Sequence, residues 1–422
     1  MSFRFCGHQS SGRLATKGGE IIGFRAFLVN PLNAKLSRGL SFVAMNRLAK
    51  EEQELISLHP AAMKSADSAG RAFEEKPDPW RTRFERDRDR VIHCSAFRRL
   101  MYKTQVFVNH VGDNQRTRMT HSLEVQQVSR SLASALNLNE PLCETIALAH
   151  DVGHPPYGHA GEEMLDKCMK DFGGFSHNRQ SLRVVDVLER RSPEYFGLNL
   201  THETKEALKK HQKVTDAATG EELRFPILEA QLVDLADSTA YHYHDLDDGI
   251  RERILNPKHM EKELPIWAMA MESSRSRHPG IDDEFLLWRR ATNELLGMTI
   301  QDILSESAQR LETAEVSNVH QAQCHERRLI GHSPKFKVMV ADLHKYLYEN
   351  MYFQEDVNWH VRRATDLLSK VFDSIIAKKD CIPERFFKHA ESHQRAACDY
   401  LQGMTDRYVE RIAKDLSVLP SY

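Results

Sequence analysis

The sequence predicts an all-α protein, a mostly helical bundle with little or no sheet. Three observations carry that expectation. Apolar residues recur at helical spacing in one segment after another, period-2 alternation is almost absent, and turn-forming residues fall between the periodic segments. The chain of 422 residues is 41% hydrophobic and 28% charged, as folded soluble proteins are, so wholesale disorder is excluded.

Taken in order, residues 1–45 carry Arg4, Arg13, Lys17, Arg25, Lys35 and Arg38 against the single acid Glu20, with no sustained period. Transit peptides, basic tails and residues translated ahead of a true start share that composition, and Met45 is an alternative first residue. This tail is not expected to carry the fold. From about residue 81 the pattern is helical. Val125, Val128, Leu132 and Leu136 form one stripe. Asn139-Glu140-Pro141 starts a second helix whose Leu142, Ile146 and Ala147 face inward and which runs to Asp151. Pro155-Pro156 then stops it, since proline lacks a donor and disfavours helical geometry in the residue before it. Further helices are expected over 159–171, 177–191, 203–211, 226–249, 284–312, 336–349, 357–377, 384–402 and 405–416. Only Lys103 to Val108 and Leu223-Arg224-Phe225 suit short strands, and Gly173-Gly174, Asn199 and 217–220 mark loops.

Composition narrows function mainly by exclusion. A net charge of −2 removes bulk charge as an argument for nucleic-acid or membrane binding. No apolar run reaches the ~18 residues of a membrane span. Seven scattered cysteines, never spaced C-x-x-C, fit a reducing cytoplasm better than a disulfide framework or a zinc knuckle. No glycine-rich phosphate loop of the Walker or dinucleotide type occurs, which disfavours kinases, P-loop ATPases and Rossmann dehydrogenases. The 22 histidines are the anomaly, and their positions decide what they mean.

His121 sits in Arg-Met-Thr-His-Ser at the start of a helix; His150-Asp151 ends the next; Asp237 lies within 226–249. Two imidazoles and two carboxylates from three helices suit one divalent ion of intermediate softness and leave open positions for water and substrate. A lone His-Asp pair would mean little, but here His154 and His159 follow within nine residues. His159 and Glu162, at i and i+3 after the double proline, share a first helical turn, where a carboxylate orients an imidazole and raises its pKa for acid–base work. Asp237, Tyr241 and Asp245 recur at i, i+4 and i+8. They are either a solvated face or a metal carboxylate, a phenol about 6 Å along and a second carboxylate gripping a nucleotide-sized substrate. Arg98, Arg99, Lys103, Arg116, Arg118, Lys209 and Lys210 surround the cluster and suggest a polyanion such as a triphosphate. Most suit ordinary surface roles; Arg118, three residues before His121 on the same helical edge, is the best candidate contact.

These residues resemble the HD-domain phosphohydrolases, specifically the deoxynucleoside triphosphate triphosphohydrolase (dGTPase-like) family. The matching strings are Asp-Arg-Asp-Arg-Val-Ile-His (87–93), Phe-Arg-Arg-Leu (97–100), Lys-Thr-Gln-Val-Phe (103–107), 116–125, 150–162, 174–183 and 228–248, with Cys-Asp-Tyr-Leu-x-Gly-Met-Thr-Asp-Arg-Tyr (398–408) extending the likeness. Seven such strings in order are not accidental. Met119, Val152 and Tyr157 depart from the usual leucine, leucine and phenylalanine without altering chemistry. The resemblance implies a catalytic core over 46–250, with 251–422 as a helical region packed on it. It implies metal ligation by His121, His150, Asp151 and Asp237, and catalysis by His159, Glu162 and His154, His159 protonating the leaving 5′-oxygen. It places His154 and His177 on phosphates, Arg118 on the α-phosphate, Lys210 on the outer phosphates, Gln105 and Val106 against base and sugar, Tyr241 on the deoxyribose and Asp245 on the 3′-hydroxyl. It further implies hydrolysis of dNTPs to deoxynucleoside and inorganic triphosphate, one divalent ion per site (Mn, Mg, Fe, Co, Ni or Zn), a homo-oligomer such as a hexamer, and a dNTP as activator. The competing readings are an HD-type nucleotidase or phosphodiesterase, and a regulator that binds nucleotides or single-stranded nucleic acid.

Overall fold

The computed structural model describes residues 44–105, 116–210, 214–215, 222–351 and 355–418. The basic segment, apart from its last two residues, and Val106 lie outside them. Met45–Tyr422 forms one compact unit. Its helices are, in order, α1 Arg47–Ser57, α2 Arg83–Ile92, α3 Ser95–Arg99, α4 Arg118–Ala135, α5 Glu140–Ala149, α6 Gly158–Cys168, α7 His177–Arg183, α8 His202–Ala207 and α9 Leu228–Arg251. There follow α10 Pro257–Glu263, α11 Pro265–Arg277, α12 Glu284–Ala314, α13 Val319–Cys324, α14 Pro334–Met351, α15 Glu355–Ala377, α16 His393–Gln402 and α17 Asp406–Asp415. Sheet is limited among the described residues to a two-residue antiparallel ladder, Val214 and Thr215 opposite Leu223 and Glu222. Thr104 forms only an isolated bridge with Thr117.

The central layer is α4, α5 and α9. The stripe Val125, Val128 and Leu132 of α4 packs with Leu142, Ile146 and Ala147 of α5 and Leu228, Leu232 and Ala236 of α9, all buried in one core. Each helix starts where its cap requires. Thr117 accepts from the Thr120 amide, and the Thr120 hydroxyl serves the Thr117 amide in return. Asn139 accepts from the Leu142 amide, with Pro141 in the first turn where its missing N–H costs nothing. A second core joins α6 to α15, α16 and α17 through Leu165, Leu368, Val371, Cys398 and Val409.

Several expected helices are shorter than their periodicity suggested, and 203–211 ends at Ala207. The segment 177–191 is helical to Arg183 and then continues as a π turn over Val184–Leu188. The segment 384–402 divides into a 3-10 stretch, Glu384–His389, and α16, because the Ser392 side chain caps the amide of Arg395 and starts a new helix there. Helices α1, α2, α3, α10, α11 and α13 add to those expected individually; α10 and α11 each begin on a proline.

Candidate active site

The C-terminal end of α5, the start of α4 and the middle of α9 meet at one point. His121 and His150 are buried, with their Nε2 atoms 3.1 and 3.4 Å from Oδ1 of Asp237. Asp151 Oδ1 lies 3.2 Å from His150 Nε2, and Asp151 Oδ2 lies 3.9 Å from His121 Nε2. One donor atom from each of His121, His150 and Asp151 falls within 4.8 Å of the others. The rings are fixed from behind. His150 turns Nδ1 to the carbonyl of Ala147 at 2.6 Å, leaving Nε2 buried without a hydrogen-bond partner among the described residues. His121 Nδ1 meets Nε2 of His244 at 3.2 Å, and His244 Nε2 in turn lies 3.2 Å from Glu124. An orphaned buried imidazole nitrogen facing two carboxylates is the donor set a divalent ion requires, so these residues fit such an ion.

Charges around the cluster are mutually balanced. Burial opposes ionisation of Asp237, but Lys210 and His150 outweigh it and hold its carboxyl well below the usual range. Burial likewise opposes the charge on Asp151, which His150, His154 and Arg118 overcome. Lys210 donates to Asp237 Oδ2 at 2.7 Å; burial would lower its pKa, but Asp237 and Asp234 raise it. Arg118 is 2% exposed and donates through Nη1 to Asp151 Oδ2 at 3.0 Å, leaving Nε and Nη2 buried without partners among the described residues. Gly158 makes room for it, since a Cβ there would stand 2.8 Å from Arg118 Nη2.

After α5 the chain turns sharply. Tyr157 and Gly158 both adopt φ of 60° behind the double proline, and α6 begins. Gly153 lies so close to α7 that a Cβ would come 2.1 Å from the amide of Ser181. This approach stacks His154 on His177, ring centroids 3.9 Å apart. Burial, reinforced by Arg118, pushes the His154 imidazole well below its usual pKa; its Nδ1 lies 3.0 Å from Asp151 Oδ1, and its Nε2 has no hydrogen-bond partner among the described residues. Glu162 lies 3.5 Å from His159, but its closer partner is His177, with Nδ1 2.8 Å away and the amide of His177 donating at 2.8 Å. Burial opposes the charge on Glu162, and the bonds from His159 and His177 hold its carboxyl well below the normal range. His159 itself is 63% exposed and free to reach a ligand.

These groups open onto a cleft of about 1020 Å³ lined by Gln105, Arg118, His121, Asp151, His154, His159, His177, Lys210, Asp237 and Tyr241. Glu162 and His150 stand just behind the lining. Asp245 is fully buried and outside it, so of the expected set it is the least available to a ligand. Most of the other basic residues have structural partners. Arg116 is bound to Glu124, Asp247 and Asp248, Lys209 pairs with Glu206, and Lys103 is buried.

Several cleft residues escaped the sequence reading, among them Asn178, Asp234, Ser238 and Arg328. Ser238 and Asp234 neighbour Asp237 on α9, a signal that was available; Arg328 lies in a loop with no local pattern. A second omission is a knot behind the turn. Lys103 Nζ donates to the carbonyls of His154 (2.6 Å) and Gln402 (2.8 Å), and Gln402 Nε2 donates to those of Val152 and His154. Asp406 accepts from the amide and hydroxyl of Thr104 through Oδ2 and from the amide of Tyr157 through Oδ1. The Tyr157 hydroxyl, absent where phenylalanine stands, donates to the Asp406 carbonyl at 3.4 Å.

Comparison with known proteins adds to this geometry. Residues 118–242 match the HD domain and residues 330–415 the phosphohydrolase-associated domain. The chain is 40% identical over 366 residues to a deoxyguanosinetriphosphate triphosphohydrolase-like protein of Geobacter metallireducens, covering 84% of this chain and 94% of that one. It is 44% identical over 365 residues to deoxyguanosinetriphosphate triphosphohydrolase-like protein 1 of Deinococcus radiodurans, covering 85% and 95%. A Nitrosomonas europaea protein of the same description is 42% identical over 363 residues, covering 84% and 96%.

Proposed function

The chain belongs to the deoxyguanosinetriphosphate triphosphohydrolase-like family of HD-domain hydrolases, and from that premise we propose that it cleaves dGTP, or dNTPs generally, at the α-phosphate to yield deoxynucleoside and inorganic triphosphate. The observation that carries this reading is the convergence of two imidazoles and two carboxylates at the floor of a cleft whose walls are cationic. His121, His150, Asp151 and Asp237 would hold a divalent ion, which would supply Lewis acidity at the α-phosphorus and lower the pKa of water there.

Everything else falls to the chain's own side chains. Arg118, with two unpartnered guanidinium nitrogens, grips the α-phosphate, and a planar fork suits that task. Neutral His154 donates one N–H to a phosphate oxygen, beside His177. Lys210, beside Asp237, and Arg328 meet the outer phosphates. His159, exposed and within 3.5 Å of Glu162, delivers the proton to the departing 5′-oxygen. Glu162 also fixes His177 and so keeps the two phosphate-facing imidazoles stacked. Tyr241 packs on the deoxyribose, where a 2′-hydroxyl would collide with the phenol, and Gln105 approaches base and sugar. The protein acts in the cytoplasm as a homo-oligomer, with a dNTP as activator.

Product analysis tests the reaction. Purified protein given each dNTP, singly and in mixtures, should release nucleoside and inorganic triphosphate in equal amounts. Orthophosphate or pyrophosphate as the initial product would sink the reading, and turnover of monophosphates instead would point to a nucleotidase.

A further inference from the structure

A second cavity, of about 1030 Å³, lies on the far side of the Gln402–Thr405 segment from the catalytic turn. Three arginines reach it: Arg99, Arg190 and Arg385. Its acids are already engaged. Glu189 takes the amides of Ser95 and Ala96 at 3.0 and 2.7 Å, and Asp399 takes Arg183 and Gln180. Arg99 meets Glu189 no closer than 3.7 Å, and its Nε is buried with no hydrogen-bond partner among the described residues. Arg190 and Arg385 have no carboxylate partner among the described residues; Arg385 instead lies over the ring of Phe386, 4.9 Å from its centroid. The remaining wall is apolar and aromatic, from Val184, Leu188, Phe386 and Tyr408.

Two guanidiniums with no carboxylate partner among the described residues, and a third only loosely paired at 3.7 Å, beside aromatic surface in a concave space of ligand size, form a binding site with a definite chemistry. We propose that this cavity binds a small organic anion, its acidic group on Arg99 and Arg385 and its apolar body against Leu188, Phe386 and Tyr408. Occupancy is communicated to the catalytic turn. Gln402 borders the cavity, and its side-chain amide donates to the carbonyls of Val152 and His154. A ligand that holds Gln402–Thr405 in place thus steadies the turn that carries His154, and one site biases the other through a shared element. The coupling rests on the hydrolase reading above; the binding does not.

The test uses naphthalene-1-sulfonate, an aromatic anion with no ester to hydrolyse, titrated calorimetrically into the full chain. One saturable site per chain is expected. It should weaken ~10-fold or more in Arg99→Ala, as loss of a charge-assisted hydrogen bond implies, and be unchanged in Arg118→Ala, which alters the catalytic cleft. Because Arg99 is partly buried, exposed Arg385→Gln serves as a second variant, with the same direction of effect. Affinity untouched by both cavity variants, or lost in Arg118→Ala instead, overturns the site. Saturating probe should also change dGTP turnover at least ~2-fold in the unaltered protein and not in Arg385→Gln, since a small coupling free energy suffices for that. Unaltered turnover with intact binding overturns the coupling, while absence of any dGTP turnover condemns the hydrolase reading and leaves the binding result standing.

Discussion

The catalytic cleft and the Lys103–Asp406 knot touch opposite sides of one turn, residues 151–158, and they treat buried polar groups in opposite ways. In the cleft, His150 Nε2, His154 Nε2 and two nitrogens of Arg118 are buried without hydrogen-bond partners among the described residues. In the knot, the buried side chains of Lys103, Thr104, Gln402 and Asp406 all have partners, spanning some 300 residues of sequence. Orphaned polar atoms cost about 1–3 kcal/mol each, so a fold keeps them only where a ligand will satisfy them or where neighbours hold them in place. The cleft holds groups in readiness, and the knot, on the other face of the same backbone, keeps them from relaxing into one another.

The sharpest way to break this contrast is to remove the cleft's donors while sparing the knot. Asp237→Ala or His121→Ala should lower kcat by at least ~10³-fold, because the several kcal/mol of charge stabilisation a bound divalent ion supplies goes with it. Metal content, measured by plasma mass spectrometry, should fall alongside, while helicity by circular dichroism stays near that of the unaltered protein. Full turnover in a metal-free preparation would refute the ligand set.

Loosening the knot should cost less and cost it differently. In Asp406→Asn one carboxylate oxygen becomes an N–H2 that faces the amide of either Thr104 or Tyr157, so one of the two clamps fails. Supporting residues of this kind typically cost about 10–100-fold in activity when changed. The loss should appear in kcat with metal content retained, and Asp406→Glu should recover part of it. A fall in activity that merely tracks the folded fraction would reduce the knot to a stability element.

The same contrast explains what could be read in the sequence. The donors were legible because short-range chemistry marks them: His150-Asp151 is contiguous, Glu162 follows His159 at i+3, and Asp237 and Tyr241 repeat at helical spacing. Helix α4 was legible from four apolar residues in register. The knot was not, because Lys103, Gln402 and Asp406 are individually ordinary and acquire meaning only when the fold brings them together. Lys103 looked like one more cation near the cluster and proved to be 1% exposed, bound to two carbonyls. His244, the brace behind His121, was hidden in the same way, seven residues after Asp237 on α9. Local periodicity also overran the 384–402 segment, where the serine cap rather than the apolar pattern decides the boundary.

A third buried polar group, far from catalysis, refines the contrast by showing one left neither for a ligand nor fully satisfied. Glu229 begins α9 in the main core, fully buried. Its Oε1 accepts from the amides of Met63 and Asn139, while Oε2 has no partner among the described residues. Burial pushes its pKa from 4.5 to about 7. Between those values the folded chain holds a proton that the unfolded chain has released, so stability falls as pH rises from 4.5 and the full cost is present above about 7. A shift of that size corresponds to a few kcal/mol, roughly 3. Glu229→Gln keeps the Oε1 acceptor and cannot ionise, though its new N–H2 is itself buried, which costs about 1–3 kcal/mol. The variant's urea midpoint should therefore vary less between pH 5 and pH 8 than that of the unaltered protein, with the two curves converging or crossing toward alkaline pH. Parallel curves across that range would show that Glu229 is charged throughout, its second oxygen satisfied by a buried water or by the ammonium of Lys64.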